Sequence, residues 1–233
     1  MKKPSPSLRD NRPERGDATR DRLLAAAIDV FGRNGFDATT TRALAHAAEV
    51  NLQAIGYYFG GKEGLYLAAA DHIAKSVARH IGAVRENLEA RLAAADGFGP
   101  RPSEAETRAM LADILAAMAR LFTSRESEAW VRFMVHEQMA PTEAFDRVYT
   151  NAMRPILQVL GRLVARLLDE DPMSEHVRLR TLSLVGGLLI LRVAQGAVEA
   201  HLRWKNFGVR EIDAVQALAR ELAAGVVRQE ENP

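Results

Sequence analysis

Three features of the chain predict an all-α fold, with an N-terminal three-helix helix-turn-helix head and a C-terminal helical body. Alanine, leucine, arginine and glutamate dominate its 233 residues, while strand formers are sparse. From residue 62 onward, apolar residues recur at helical three-to-four spacing. Proline and glycine sit in clusters, as breaks between helices. The length suffices for two cores of ordinary domain size. The expected division is an arm over 1–16, the head over 17–62, and a helical body over 63–233.

Composition narrows the function. The formal net charge is only +1, so charge alone does not announce a nucleic-acid binder. A small basic face presented twice by a dimer still works, because affinity rises with the phosphates neutralised. The absence of cysteine excludes disulfides and thiolate catalysis and removes the commonest soft metal ligand. It fits a reducing compartment, and a cytoplasmic location is expected. The longest apolar run, Leu182 to Leu191, is too short to span a bilayer and is followed by Arg192. No membrane partner is expected.

In chain order, MKKPSPSLRDNRPERGD carries charge with no apolar run behind it, so it does not read as a signal peptide. A disordered arm is expected to Gly16, with Lys2, Lys3, Arg9, Arg12 and Arg15 offering weak nonspecific DNA contact at most. Thr40 and Thr41 are candidate N-caps. The helix from Arg42 to Ala48 places Ala43, Leu44 and Ala47 on one apolar face. Glu49-Val50-Asn51 forms a turn with Val50 as its buried plug. Asn51 caps the next helix, Leu52 to Phe59, on which Ile55 and Phe59 share an inward face. Leu52, Gln53, Gly56 and Tyr57 point elsewhere.

Two helices joined by a tight turn form a helix-turn-helix, whose second helix enters the major groove. Thr41 and Arg42 suit a phosphate at a helix start, as does Lys62 after Gly60-Gly61. The hydroxyls of Tyr57 and Tyr58 suit phosphate oxygens, and core-rim packing suits the two rings equally. Gln53 is the best base reader, since an amide pairs bidentately with adenine. Asn51 and Ala54 are further candidates, the alanine through a thymine methyl. Leu52 either touches such a methyl or packs. The expected partner is double-stranded operator DNA.

Helices follow to the end of the chain. A long one is expected from Lys62 to Ala95, then a loop over Gly97 to Ser103. Ser103-Glu104-Ala105-Glu106 is a capping box opening a helix to Thr123. Another covers Ser127 to Met139. Ala140-Pro141-Thr142 leads into one reaching Leu168, with Pro155 as a kink site. After a loop over Asp169 to Ser174, two helices are expected, Ser174 to Trp204 and Arg210 to Gln229, joined at Lys205 to Val209.

The middle of the chain concentrates adaptable and aromatic side chains: Met118, Phe122, Trp130, Phe133, Met134, Phe145, Tyr149 and Met153. Methionines fill irregular volumes and suit changeable binding surfaces. Glu137, with Arg132, His136 and Gln138, lies among them as a polar group able to orient a ligand. Residue by residue, plain core packing explains them as well. As a region they predict a pocket for a small apolar or aromatic effector.

Enzyme readings find no support. His136-Glu137 opens like a zinc HExxH motif, but position 140 is alanine, so the second ligand is missing. His72 and His80 sit two turns apart, too far for one ion. The chain carries neither a phosphate-binding glycine loop nor a G-x-S-x-G elbow. No catalytic residue, metal or cofactor is expected.

The stretch from Thr19-Arg20 through RDRLLAAAIDVFGRNGFDATTTRALAHAAEV to YYFGGKEGLY resembles the TetR family of transcriptional regulators. The resemblance covers about the first third of the chain. Its linked features are Phe31 with the Gly35-Phe36 helix ending, the threonine cap, Tyr57-Tyr58-Phe59, and the Lys62-Glu63 helix start. One departure is Glu49, where the family usually has glycine; a positive φ there strains a side chain. The segment WVRFMVHEQMAPTEAFDRVY is similar to the C-terminal domain of the CecR-type subgroup, and Arg192-Val193-Ala194 and Trp204 also fit.

That resemblance implies a ligand-binding and dimerising domain in a ligand-responsive regulator, most often a repressor. Leu184, Leu188, Leu191 and Gln195 fall on one stripe, and Val215, Leu218, Leu222 and Val226, with Ile212, on another. The two stripes either close a protomer's core or pair across a two-fold axis in a four-helix interface. The two-fold partner that the resemblance implies favours the homodimer. The other reading of the whole chain is a helical interaction or adaptor protein with this fold that has lost specific DNA binding.

Overall fold

The computed structural model describes residues 12–97 and 99–228. Eleven α-helices and no strands are found among them: α1 (Arg12–Ala38), α2 (Thr41–Ala47), α3 (Gln53–Phe59), α4 (Lys62–Asp96), α5 (Glu104–Thr123), α6 (Arg125–Met139), α7 (Glu143–Val148), α8 (Arg154–Leu168), α9 (Glu175–Val193), α10 (Gln195–Leu202) and α11 (Val209–Ala224). A π-helical turn, Tyr149–Met153, joins α7 to α8.

In the head, α1 to α3 pack around Leu23, Phe31, Leu44 and Ile55, all buried. α1 takes up residues 12–16 of the expected arm. Pro13 suits a first helical turn, where its missing N–H has no partner to lose. Lys2, Lys3 and Arg9 lie outside the described residues. Gly35 leaves helical geometry at φ 74° and turns the end of α1. On α2, Leu44, Ala45 and Ala48 face inward while Ala43 and Ala47 are exposed, which corrects the expected face. Val50 is half-buried rather than sealed.

α4 runs from the head through the body, and α5 is the body's central helix. Met110, Leu111, Ile114 and Leu115 on α5 are fully buried against α4, α8, α9 and α11. Cationic side chains close helix C-termini, where free carbonyls favour positive charge. The Arg108 guanidinium donates to the Ala223, Ala224 and Val226 carbonyls at 3.0, 2.9 and 3.0 Å, ending α11 on α5. The buried Arg192 donates to the Phe122 and Ser124 carbonyls, both at 2.7 Å, fastening α9 to the end of α5.

Four expected helices divide or shift. The segment from Pro141 to Leu168 is α7, the π turn and α8. Pro155 cannot donate to a carbonyl four residues back and its ring crowds it; the wider π turn immediately before it absorbs both. The helix expected from Ser174 to Trp204 breaks at Ala194 (φ −100°, ψ 37°), with 81° between α9 and α10. The break follows the Arg192 anchor and precedes Gly196, a weak helix former. α6 begins two residues early because the Ser124 hydroxyl accepts from the Ser127 N–H at 3.2 Å. α11 ends at Ala224, and Gln229 lies outside the described residues.

Among the described residues, no single helix is long and apolar enough to cross a membrane. The bent pair α9–α10 passes that test by length and composition only.

Candidate nucleic-acid interface and apolar cavity

The helix-turn-helix is built from local bonds. The Thr40 hydroxyl accepts from the Ala43 N–H at 3.1 Å and starts α2, leaving Thr41 and Arg42 in its first turn. Asn51 Oδ1 accepts from the Gln53 N–H at 2.8 Å and starts α3. That bond commits the Asn51 side-chain oxygen to capping and leaves its exposed amide nitrogen as a donor. Between the two helices Glu49 adopts φ 54°, the left-handed region in which glycine is at ease.

Two glycines turn α3 into α4, Gly60 at φ 74° and Gly61 at φ 136°. At Gly64 a Cβ would stand 1.9 Å from the Phe59 carbonyl oxygen, so only glycine lets α4 pass this close to the end of α3. These contacts set the angle at which α3 is presented.

Asn51, Leu52, Gln53 and Gly56 form an exposed face on and just before α3, with Tyr57 the most prominent at 82% exposure. Ile55 is buried and Phe59 half-buried, the inward face expected. Ala54 and Tyr58 are half-buried; the Tyr57 and Tyr58 rings meet edge to face at 4.8 Å. The open cleft beside α3 also holds Thr19 and Arg22 from α1, which sequence reasoning missed, together with the carboxylate-bearing Glu49. Arg22 donates to the Thr19 hydroxyl at 3.5 Å. Lys62 lies over the Phe36 ring at 4.2 Å. That cation–π contact orients its stem but leaves the residue half-exposed.

The body holds an apolar cavity of about 340 Å³, partly open to solvent beside the exposed Gln138 and Met139, the size of a small-molecule site. Met118, Phe122, Trp130, Met134 and Met153 line it, as expected from their types. Ile73, Val77 and Ile81 of α4 and Val185, Leu189 and Val193 of α9 complete much of the wall. Their four-residue spacing was a readable signal, unused because one spacing serves core and cavity alike. Among the described residues that line it, only Gln138 and Trp130 carry side-chain nitrogen or oxygen. Trp130 Nε1 is buried and has no hydrogen-bond partner among the described residues.

Four expected pocket residues lie elsewhere. Phe133 is fully buried against Tyr66, ring centroids 4.6 Å apart. Phe145 and Tyr149 stack on each other at 5.7 Å. Glu137 is buried and turned toward α7. Its carboxylate accepts from the Thr142 N–H at 3.1 Å, the Thr142 hydroxyl at 2.8 Å and the Phe145 N–H at 2.8 Å, and from the Tyr66 hydroxyl. Burial first, and then this carboxylate, push the Tyr66 phenol well above its ordinary value. Tyr66 in turn meets Phe31 at 4.7 Å and Phe36 at 4.9 Å. Arg132 and His136 are exposed.

Of the expected dimer residues, Leu184, Leu188, Val215 and Val226 are buried inside the protomer, and Leu191, Gln195, Leu218 and Leu222 are half-buried. α11 packs mainly on α5 and touches α9, where the Leu222 side chain lies beside Gly187. A different α9 ridge is exposed: Leu179, Leu182, Gly186, Ile190 and Val193.

Comparison with known proteins agrees with this arrangement. The model for bacterial regulatory proteins of the tetR family matches residues 23–69. The C-terminal domain model of the HTH-type transcriptional dual regulator CecR matches residues 105–227. The CecR dual regulator of Shigella flexneri is 30% identical over 201 residues, spanning 86% of this chain and 87% of that protein. Among solved structures, the TetR family regulator PfmR of Thermus thermophilus aligns with a TM-score of 0.58 at 19% identity, covering 92% of this chain and 98% of that one. FadR of Bacillus subtilis, solved in complex with stearoyl-CoA, gives 0.57 at 14% identity, covering 89% and 99%. At such identities these two structures show the fold alone.

Proposed function

This chain belongs to the TetR family of bacterial regulators, with a CecR-type C-terminal domain, and from that premise we propose a ligand-responsive repressor that holds a palindromic operator as a homodimer and is released by a small apolar or aromatic effector. Membership makes it a DNA-binding transcriptional regulator rather than an enzyme, like its matched relatives. The single observation carrying the finer reading is that α4 both bears the DNA-binding head and, through Ile73, Val77 and Ile81, walls the apolar cavity.

Gln53 reads a base edge in the major groove, with Asn51, Leu52 and Ala54 around it. Thr40, Thr41, Arg42, Tyr57, Tyr58 and Lys62 meet phosphates on either side. Arg22 joins them from α1. The exposed α9 ridge supplies the two-fold contact, placing two recognition helices at half-sites one helical turn or a multiple apart. The protein works in the cytoplasm.

An effector in the cavity displaces α4 and α6 and spoils the half-site spacing. It does so only by preferring the released form; moving an equilibrium from almost wholly bound to almost wholly released takes about 5.5 kcal/mol of differential binding. A second route runs through α6 itself. Met134 and Gln138 line the cavity, while Phe133 and Glu137 reach Tyr66, and Arg132 pairs with Asp29 of α1 at 3.2 Å.

A salt-titrated gel shift on DNA flanking the gene, and on a randomised palindrome pool, tests this. The expected result is selection of a two-fold site whose log affinity falls linearly with log salt. If neither DNA is bound, the adaptor reading replaces it, with Glu49 in the cleft as its physical basis.

A further inference from the structure

We infer that the effector is an amphiphile polar at one end only, such as a primary alkyl alcohol, whose hydrocarbon part fills the sealed end of the body cavity while its polar group stays at the mouth beside Gln138. The inference deepens the reading of that cavity as the effector site and rests on it.

Away from the mouth, the wall offers a ligand no hydrogen bond. Among the described residues that line it none is ionisable, and the surface it presents is almost wholly apolar. Trp130 lines the cavity, but its Nε1 is buried and presents no surface to a ligand. All the lining residues belong to α4 to α9 or to the π turn, so the backbone N–H and C=O groups of the wall are largely spent on helical bonds. A hydroxyl drawn in there would lose its hydrogen bonds to water without replacement, and a bridging water needs polar partners of its own.

The two ends of the cavity differ. Ile73, Ile81, Met118 and Leu121 close it, all at most 3% exposed. Gln138, Met139 and Val193 also line it and are exposed, so it opens between the ends of α6 and α9. Of the described residues at that opening, Gln138 has the side chain that can exchange hydrogen bonds, and water reaches it. A ligand therefore suits the cavity only with its polar atoms gathered at one end. The lining methionines adapt to varied apolar shapes, so selection falls on the position of the polar group rather than on the outline of the chain.

Isomers and homologues separate the possibilities. Affinities of 1-octanol, 4-octanol, 1,8-octanediol and the shorter 1-hexanol are read by titration calorimetry on the full chain. The expected result is 1-octanol binding about tenfold tighter than 4-octanol, which has the same formula with its hydroxyl in mid-chain, and tighter than the diol. Each methylene added from 1-hexanol to 1-octanol should strengthen binding about fourfold. Trp204→Phe leaves Trp130 as the single tryptophan, and its fluorescence should change on binding. The side-chain amide resonances of Gln138, identified by their loss in Gln138→Leu, should move with 1-octanol.

Equal affinity for 1-octanol and 4-octanol in the unaltered protein overturns the inference, even if a variant fails to fold. So does a diol that binds as tightly as 1-octanol, a flat chain-length series, or a Gln138 amide that stays put. Beside a Trp130 response, such failures sink the ligand class and leave the cavity as the effector site. Binding of none of the alcohols, or binding without a Trp130 response, sinks both. An operator titration on the same preparations judges the regulator reading separately.

Discussion

The Tyr66 hydroxyl donates to the buried Glu137 carboxylate, joining the second turn of α4 to the last turn of α6. Tyr66 packs between Phe31 and Phe36 of the head and Phe133 of the body. Glu137 also receives two N–H groups and a hydroxyl from the start of α7. One buried carboxylate thus ties the head, the cavity helix and the following helix together.

Tyr66→Phe removes one of four donors to Glu137 while keeping the ring packing. A partly satisfied buried carboxylate is destabilising by about 1–3 kcal/mol. Urea unfolding should show that loss. In the gel shift, operator affinity should hold while the effector concentration needed for release changes. An unchanged release curve would show that the link carries no signal.

At Gln53, replacement by alanine should relax preference at one base position per half-site, at about 1–3 kcal/mol. Lys62→Ala should instead weaken binding to all sequences alike and flatten the salt slope. Selection from a randomised pool distinguishes them; an intact base preference in Gln53→Ala would remove it as the reader.

Glu49→Gly relieves a side chain held at φ 54°. A gain of about 0.5–1 kcal/mol is expected in thermal unfolding, the strain relieved exceeding the added flexibility of the unfolded chain. Operator affinity should rise as well, since a carboxylate leaves the cleft beside α3. Lower stability would mean that the turn is held by more than its backbone.

The α9 ridge exposes Leu182 at 55% and Ile190 at 51%. Ile190→Asp places a charge at its centre and should give monomers in sedimentation, together with loss of palindrome binding. Leu188→Asp, at a fully buried site, should unfold the protomer instead. A dimer surviving Ile190→Asp would exclude this ridge as the two-fold contact.

Glu126 of α6 accepts from the Ser76 hydroxyl at 2.5 Å and from Arg79 at 2.7 Å, bridging to α4. Burial raises its pKa, but the Ser76 bond, Arg79 and His80 outweigh this and hold it below its ordinary 4.5. The folded form therefore binds fewer protons than the unfolded chain as pH falls past 4.5, so stability present above that value is lost on acidification. Because the group is partly exposed, the contribution is about 1 kcal/mol or less. Glu126→Gln should lower the urea midpoint at neutral pH and flatten its fall between about pH 5 and 3 in the same titration, values set by the ordinary carboxylate range.

The head was legible because its determinants are neighbours in the chain. Thr40 caps α2 and Asn51 caps α3 through bonds spanning three and two residues. Glu49, at φ 54°, stood out because the resemblance to the TetR family sets it where that family usually has glycine. The Ser103 capping box, the long α4 and the loop after it were equally local. The inward face of α2 was misjudged because a seven-residue alanine-rich helix presents methyl groups all round, and only Leu44 decides which way it turns.

In the body, residue type and spacing established that helices bury apolar faces, and nothing more. Leu184 and Leu188 had the spacing of an interface and are core, while Leu182 and Ile190 had helical spacing too and are exposed. Glu137 sat among pocket residues in the chain and turned to α7 in space. By itself the sequence determined the all-helical fold, the capped DNA-binding head and the family. Only the tertiary structure decided which α9 face looks out, that α4 lines the cavity, and that Trp130 keeps an unmatched donor. Periodicity names a stripe, but a helix packed on several sides has more than one, and only its neighbours determine what each stripe meets.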